Sequence, residues 1–239
     1  MEARVRIGAN RRFILKNAVL VYGDGSGAFA TLHDVRGEKE GAPYLGPGQS
    51  LTTAFLRSLA HGLGVRMAPE ILPDNILART PDLIAWWTKA QHRSMFFGGG
   101  SDEAAMLNGR TYPHPALVFK IWGRDLFVRA LAKFSNVRPS AETRLMTAPY
   151  WNTDSRACVC QGSMRVPEEV SAQSVAGWEA SFFASEFTHP TGAVRLTSHP
   201  GGFAGLWSSL ADSKGSFPTE FLTDVKQTLR EFIKGDEER

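Results

Sequence analysis

The chain has 239 residues, 43% of them hydrophobic and 21% charged, with 27 Lys and Arg against 24 Asp and Glu. That balance excludes a disordered chain. No apolar run approaches the ~18 residues of a membrane span, and two cysteines cannot make a disulfide framework. The net charge of +3 and pI near 9.0 come from scattered basic residues. They read as a solvated surface, so nucleic acid is not an expected partner. "MEARVRIGANRRF" has no apolar run behind its charges and is not read as a signal peptide. The expected class is a cytoplasmic enzyme or binding module.

In chain order, "RFILKNAVLVYGDGSGAFATLHDV" reads as two strands joined by a Gly/Asp turn. "GDGSG" looks like a phosphate loop, but a second strand follows it where a helix is required. "LGPGQSLTTAFLRSLAHGLG" reads as a helix capped by Ser50, with Leu51, Phe55, Leu59 and Leu63 on one face and Gly62 and Gly64 at its end. "DLIAWWTK", "SMFFGGG", "ALVFKIW" and "DLFVRAL" read as strands, with a turn at Gly123-Arg124-Asp125. "GGGSDEAAMLNGRTYPHP" reads as a long polar loop, and 139–167 shows little periodicity. "SVAGWEASFFASEF" is a helix carrying Val175, Trp178 and Phe182 on one face. "HPTGAVRLTSHPGG" is an irregular crossing, and "PTEFLTDVKQTLREFIKG" a final helix with Phe221, Val225, Leu229 and Phe232 inward and Gly235 closing it. The fold class is therefore α+β, helices on one face of an antiparallel sheet. One domain over 1–239 is expected, with 1–40 as an N-terminal hairpin extension and 236–239 as a free tail.

Chemistry concentrates in "APYWNTDSRACVCQGSMRVP", residues 148–167, which holds both cysteines. Cysteines at i and i+2 of an extended chain have Cα atoms roughly 6.5–7 Å apart, at the edge of disulfide geometry. No histidine stands at a zinc-type spacing from them, so no metal is expected. A buried inert pair is the bland alternative. A catalytic thiol is the other, since the segment is irregular and polar, Arg156 and Arg165 can lower a thiol pKa, and Gly162 lets backbone N–H groups reach a reacting carbonyl. No local histidine offers a base for a thiol hydrolase. Accepting and passing on an acyl group from a thioester asks less, namely a positioned thiolate and an amide donor.

"APYWNTDSRACVCQGSMRVP", the helix "GWEASFFASEFTHP" and a distal "LW" together resemble the PRTRC system protein B family, classed as a prokaryotic group D relative of ubiquitin-conjugating enzymes. The resemblance implies a ubiquitin-conjugating-enzyme-like fold, with an antiparallel β-meander, flanking helices and an added N-terminal hairpin. It implies prokaryotic cassettes, often on plasmids, that pair the protein with a ubiquitin-like protein, a ThiF-type activating enzyme, a JAB-type peptidase and a ParB-related protein. The family's Cys-x-Gly falls on Cys160-Gln161-Gly162, which makes Cys160 the acceptor thiol and Cys158 a packing residue. Conjugating enzymes carry His-Pro-Asn ahead of the cysteine; here Ala148-Pro149-Tyr150-Trp151-Asn152 stands in that place, without the histidine. Asn152 carries over as oxyanion donor or loop organiser. Tyr150, Asp154, Gly162 and His189 are supporting residues.

The implied function is transfer of a ubiquitin-like protein, taken from the activating enzyme as a thioester on Cys160 and passed to an amine or thiol. No cofactor is expected. With no Gly-rich loop leading into a helix, activation with ATP falls to the partner. The competing reading is a catalytically inactive conjugating-fold module that binds a ubiquitin-like protein or scaffolds the cassette. A plasmid-linked DNA-binding role has only the cassette context and the pI behind it.

Overall fold

The computed structural model describes residues 4–6, 12–23, 28–37, 42–62, 71–80, 82–132, 137–191 and 195–235, and divides into two compact units, Met1–Pro69 and Glu70–Arg239. In the first unit β1 (Arg4–Arg6) pairs with β2 (Arg12–Ile14), and β3 (Asn17–Gly23) pairs antiparallel with β4 (Ala28–Arg36). Residues 24–27 of the "GDGSG" turn lie outside the described residues. The short strands β5 (Tyr44–Leu45) and β6 (Gln49–Ser50) return onto β4 and lead into α1 (Thr53–Gly62). Ser50, expected as the cap of α1, is instead paired with Thr31 across β6 and β4. The Thr52 hydroxyl accepts the free N–H of Phe55 at 3.1 Å, because a cap must stand immediately before the first turn. Of the expected apolar face, Leu51 and Phe55 are half-buried and Leu59 is exposed, while Leu63 and Gly64 lie outside the described residues.

The second unit opens with β7 (Ile76–Arg79), β8 (Leu83–Thr88), β9 (Gln91–Ser94), β10 (Phe96–Phe97), α2 (Asp102–Leu107), β11 (Thr111–His114), β12 (Leu117–Trp122) and β13 (Asp125–Leu131). It continues with β14 (Arg144–Thr147), α3 (Val175–Ala184), β15 (Glu186–Phe187), α4 (Gly202–Leu210), β16 (Asp224–Thr228) and α5 (Leu229–Lys234). Six strands form one sheet in the order β16-β14-β13-β12-β8-β7, every pair antiparallel. Gly123, at φ 61°, makes the turn between β12 and β13 at the expected position.

Several sequence expectations are corrected here. The "GGGSDEAAMLNGRTYPHP" stretch is not a plain loop: it holds α2 and β11. Ser101 caps α2 by accepting the Ala104 N–H at 3.1 Å, and Asp102 and Glu103 sit in its first turn where the helix dipole favours them. Phe96 and Phe97 leave the main sheet and pair in parallel with β15. The region 139–167 contains β14, and α4 follows the irregular crossing unannounced. The expected C-terminal helix begins only at Leu229. Thr228 and Glu231 form a reciprocal capping box there, and Asp224–Thr228 is a strand completing the edge beside β14.

Helices cover both faces of the sheet, not one. Leu83–Thr88 is buried at all six positions, and a strand buried on both faces needs cover on both. On one face Trp86, Phe119, Leu126 and Val128 pack with Trp178, Phe182 and Phe183 of α3 and Leu206, Trp207 and Leu210 of α4. On the other, Trp87, Val118, Leu131 and Leu145 pack with Leu229 and Phe232 of α5. Lys120 points to this second face, and its ammonium donates to the Phe232 carbonyl at 2.7 Å from between the rings of Phe127 and Phe232, each 4.7 Å away. This closes the C-terminal end of α5, where carbonyls lack intrahelical partners. Among the described residues no helix is long and apolar enough to cross a membrane.

Candidate functional site

The segment after β14 is first nailed into the core. Ala148, Tyr150 and Trp151 are buried, and the Pro149 carbonyl accepts the indole N–H of Trp207 at 3.1 Å. The Tyr150 oxygen lies 2.9 Å from His114 Nδ1, and His114 Nε2 lies 3.2 Å from the Arg93 carbonyl. A carbonyl only accepts, so the ring proton sits on Nε2 and Nδ1 accepts the tyrosine hydroxyl. Burial pushes the Tyr150 phenol well above its usual range and the His114 ring down to about 3, so both stay neutral. Tyr150, expected to support the site, is an anchor beneath it.

Asn152 comes next, buried and at φ 59°, a left-handed conformation asparagine tolerates better than most residues. Its side-chain amide holds the segment around β15 on both sides. Nδ2 donates to the Glu186 carbonyl at 2.8 Å, and Oδ1 accepts from the Thr188 N–H at 3.1 Å and the Thr188 hydroxyl at 3.0 Å. Its backbone N–H donates to the His189 carbonyl at 3.0 Å, and its carbonyl accepts the Cys160 N–H at 2.7 Å. Cys160, Asn152 and His189 are thus strung together through the backbone.

The chain between Asn152 and Cys160 is a tight excursion organised by Asp154. One carboxylate oxygen accepts the N–H groups of Arg156 at 2.9 Å and Cys158 at 2.8 Å, and Ala157 sits at φ 72°. The chain then runs beside β13, with bridges between Phe127 and Cys158 and between Thr153 and Val159. Val159 is buried in the aromatic core, so alternation turns the neighbouring cysteines the other way. Cys158 is half-buried, and burial, then the carboxylates of Asp154 and Asp125, push its thiol pKa up. Arg156 pulls in the lowering direction more weakly, and its guanidinium lies 3.3 Å from Asp154. Arg156, expected to lower a thiol pKa, pulls Cys158 in that direction, but the carboxylate that pins the loop outweighs it. Cys160 is exposed.

Beyond Cys160, the Gln161 side chain donates to the Arg124 carbonyl at 2.5 Å, and Gly162, at φ 36°, turns the chain so that Met164 N–H meets the Gln161 carbonyl at 2.6 Å. Among the described residues the N–H groups of Gln161 and Gly162 donate to nothing. The Ser163 hydroxyl accepts the Glu186 N–H at 2.9 Å. Glu186, Thr188, Ser163 and the glycines Gly98 and Gly99 were not singled out by the sequence reading. Gly99 sits at φ 95°, and a Cβ there would stand 3.0 Å from the Thr188 carbonyl. A Cβ on Gly98 would stand 2.8 Å from the Glu186 carboxylate. The triple glycine after a strand was their visible sign.

His189 is exposed, with Nδ1 2.8 Å from the Thr188 hydroxyl. A groove of about 660 Å³ is lined by Trp151, Thr188, Arg195, His199 and Phe203 among others. Among the described residues no group of three or more His, Cys, Asp or Glu is placed to hold a metal ion.

The model of prokaryotic E2 family D matches residues 55–225, and the chain belongs to that family. The group D resemblance read from "APYWNTDSRACVCQGSMRVP" is thereby shown. The mixed arrangement of helices and antiparallel sheets is consistent with an E2-like fold. No curated protein and no solved structure matches the chain.

Proposed function

We propose that this E2-like protein accepts a ubiquitin-like protein from a ThiF-type activating enzyme as a thioester on Cys160 and transfers it to an amine or thiol. The observation that carries this is the contrast between the two sulfurs. Cys160 is exposed at a turn whose next two N–H groups are unengaged, while Cys158 is half-buried with its thiol pKa raised. A transferring cysteine needs access and a donor for the carbonyl oxygen, and these N–H groups supply the donor. Asn152 takes the organiser's role, since its Nδ2 is engaged with the Glu186 carbonyl. In this reading β8, β12, β13 and β14 are the meander of a ubiquitin-conjugating fold, and a JAB-type peptidase of the same cassette is a further partner.

One observation favours the second reading, a binding module without catalysis: the same engagement turns the Asn152 amide to the Glu186 carbonyl rather than to an oxyanion. A charging assay with the activating enzyme, ATP and the ubiquitin-like protein separates the two. Wild type and Cys158→Ala are expected to form an adduct that thiol reductant removes, and Cys160→Ala none. Cys160→Lys should trap a reductant-stable isopeptide. Binding of the ubiquitin-like protein without any adduct would establish the module instead. Charging that survives Cys160→Ala but not Cys158→Ala would move the site to the other sulfur.

A further inference from the structure

We infer that His189 is the general base that accepts the proton of an amine attacking the Cys160 thioester; this deepens the conjugation reading and rests on it. The inference begins with hydrogen-bond directions. Asn152 Nδ2 donates to the Glu186 carbonyl, which identifies the other side-chain atom as oxygen, and that oxygen also accepts the Thr188 N–H. The Thr188 hydroxyl lies 3.0 Å from the same oxygen. Asn152 Oδ1 only accepts, so the single hydroxyl proton of Thr188 points to it. Toward His189 Nδ1, at 2.8 Å, the hydroxyl then has only a lone pair to offer. Nδ1 must carry the imidazole proton, and Nε2 is left as a basic lone pair. The order is Nδ1–H to Thr188, then O–H to Asn152, and this holds the ring in one tautomer as a carboxylate or carbonyl does at other catalytic histidines.

The surroundings leave that lone pair available. His189 is exposed, and among the described residues Nε2 meets no partner. Its backbone carbonyl accepts from Asn152, whose own carbonyl accepts from Cys160. The residue is therefore fixed, through main chain and side chain alike, to the residue that fixes the candidate thiol. Other histidines of this unit lack these properties. His114 is buried with its proton on Nε2. His199 Nδ1 accepts the Gly201 N–H at 3.0 Å, which puts its proton on Nε2 as well. His92 lies in β9, paired with Pro113, outside these contacts.

The step balances without a further reactant. The amine nitrogen bonds to the thioester carbonyl carbon, the oxygen is held by the N–H groups of Gln161 and Gly162, and His189 Nε2 takes the ammonium proton. The C–S bond breaks, the amide leaves, and the Cys160 thiolate regains a proton from the imidazolium or water.

The test loads the full-length protein with a peptide ending in a glycyl thioester of 2-mercaptoethanesulfonate, which charges a reactive cysteine by thiol exchange. Discharge is then followed to free lysine and to hydroxylamine, a nucleophile that needs no base. With His189→Ala, discharge to lysine is expected to fall about 10²-fold, the usual contribution of a general base. Hydroxylamine should discharge it at the wild-type rate, and added imidazole should restore part of the lysine reaction. Thr188→Val, which removes the tautomer lock, should give a smaller loss in the same direction. Lysine discharge unchanged in His189→Ala overturns the inference, as does a loss shared by hydroxylamine or one that imidazole does not touch, since either marks a structural residue. If Cys160 never takes the acyl group, the conjugation reading itself fails and this inference falls with it.

Discussion

The two faces of the six-stranded sheet are both covered, by different means. The face under α3 and α4 is closed with rings. Tyr150 stacks on Phe187 and Trp207 and meets Phe182 edge-on at 5.2 Å. Burial holds His114 and Tyr150 neutral there, and it raises the pKa of the half-buried Glu179, whose carboxylate accepts the Trp86 indole N–H at 2.9 Å. The face under α5 buries charge: Lys120 among rings, and Arg129, whose guanidinium reaches the Ser155 carbonyl at 3.0 Å and the Gln227 side chain at 3.3 Å. Burial lowers the Arg129 pKa, opposed by the charge of Asp154. Ser155 lies in the loop that leads to the cysteines. The difference teaches that the aromatic face supplies cohesion, while on the other face one buried cation, Arg129, holds the site loop by a directional hydrogen bond to the Ser155 carbonyl.

The sharpest way to break the contrast is to empty the aromatic face. Phe182→Ala removes a fully buried ring touching Phe119, Tyr150, Phe183 and Phe187. It should cost about 3–5 kcal/mol, read as a fall in the urea midpoint at unchanged slope. On the other face Lys120→Met keeps the bulk and deletes the donor to Phe232. A charged hydrogen bond of this kind is worth roughly 1.5–3 kcal/mol, so the same measurement should show a smaller fall. Acid probes the neutral pair. Burial holds the folded His114 ring down to about 3, against the ordinary imidazole value of 6.5. Between those values the unfolded chain binds the extra proton, so stability falls as the pH drops through 6.5 and stops falling, for this group, below about 3. By pH 5 the loss should reach about 2 kcal/mol, and His114→Gln should flatten that part of the profile.

How much of this was legible in the sequence depended on the range of the interactions. α3 was readable because Val175, Trp178 and Phe182 repeat at helical spacing, and the turn at Gly123 because Gly-Arg-Asp separates two apolar runs. The second layer was also written there: Leu83–Thr88 offers no polar face. α2 had a serine cap and an acidic first turn, hidden by the glycines before it. The C-terminal misreading has a different origin. Phe221, Val225, Leu229 and Phe232 fit a helical period by coincidence, and the Thr228-to-Glu231 capping box was the stronger local signal. The site divides in the same way. Cys160 stood out by its local setting and its match to Cys-x-Gly. The grip of Asn152 on Glu186 and Thr188 joins residues separated by 34 and 36 positions, and no periodicity reports that.

The parallel pairing of Phe96-Phe97 with Glu186-Phe187 carries a kinetic consequence. Local turns cannot form it, because the meander of β12 and β13 and the helix α3 lie between its two halves in the chain. Closing so long a loop costs entropy before any contact is gained. The clamp around Cys160 therefore closes late in folding, after the central strands. It is also short, with two residues on each side, and borders exposed chain. Slow hydrogen exchange should accordingly persist in β12 and β13 while the amides of Phe187 and Thr188 exchange through a cheaper local opening. The cysteine loop then has a looseness of its own, separable from the stability of the sheet beneath it.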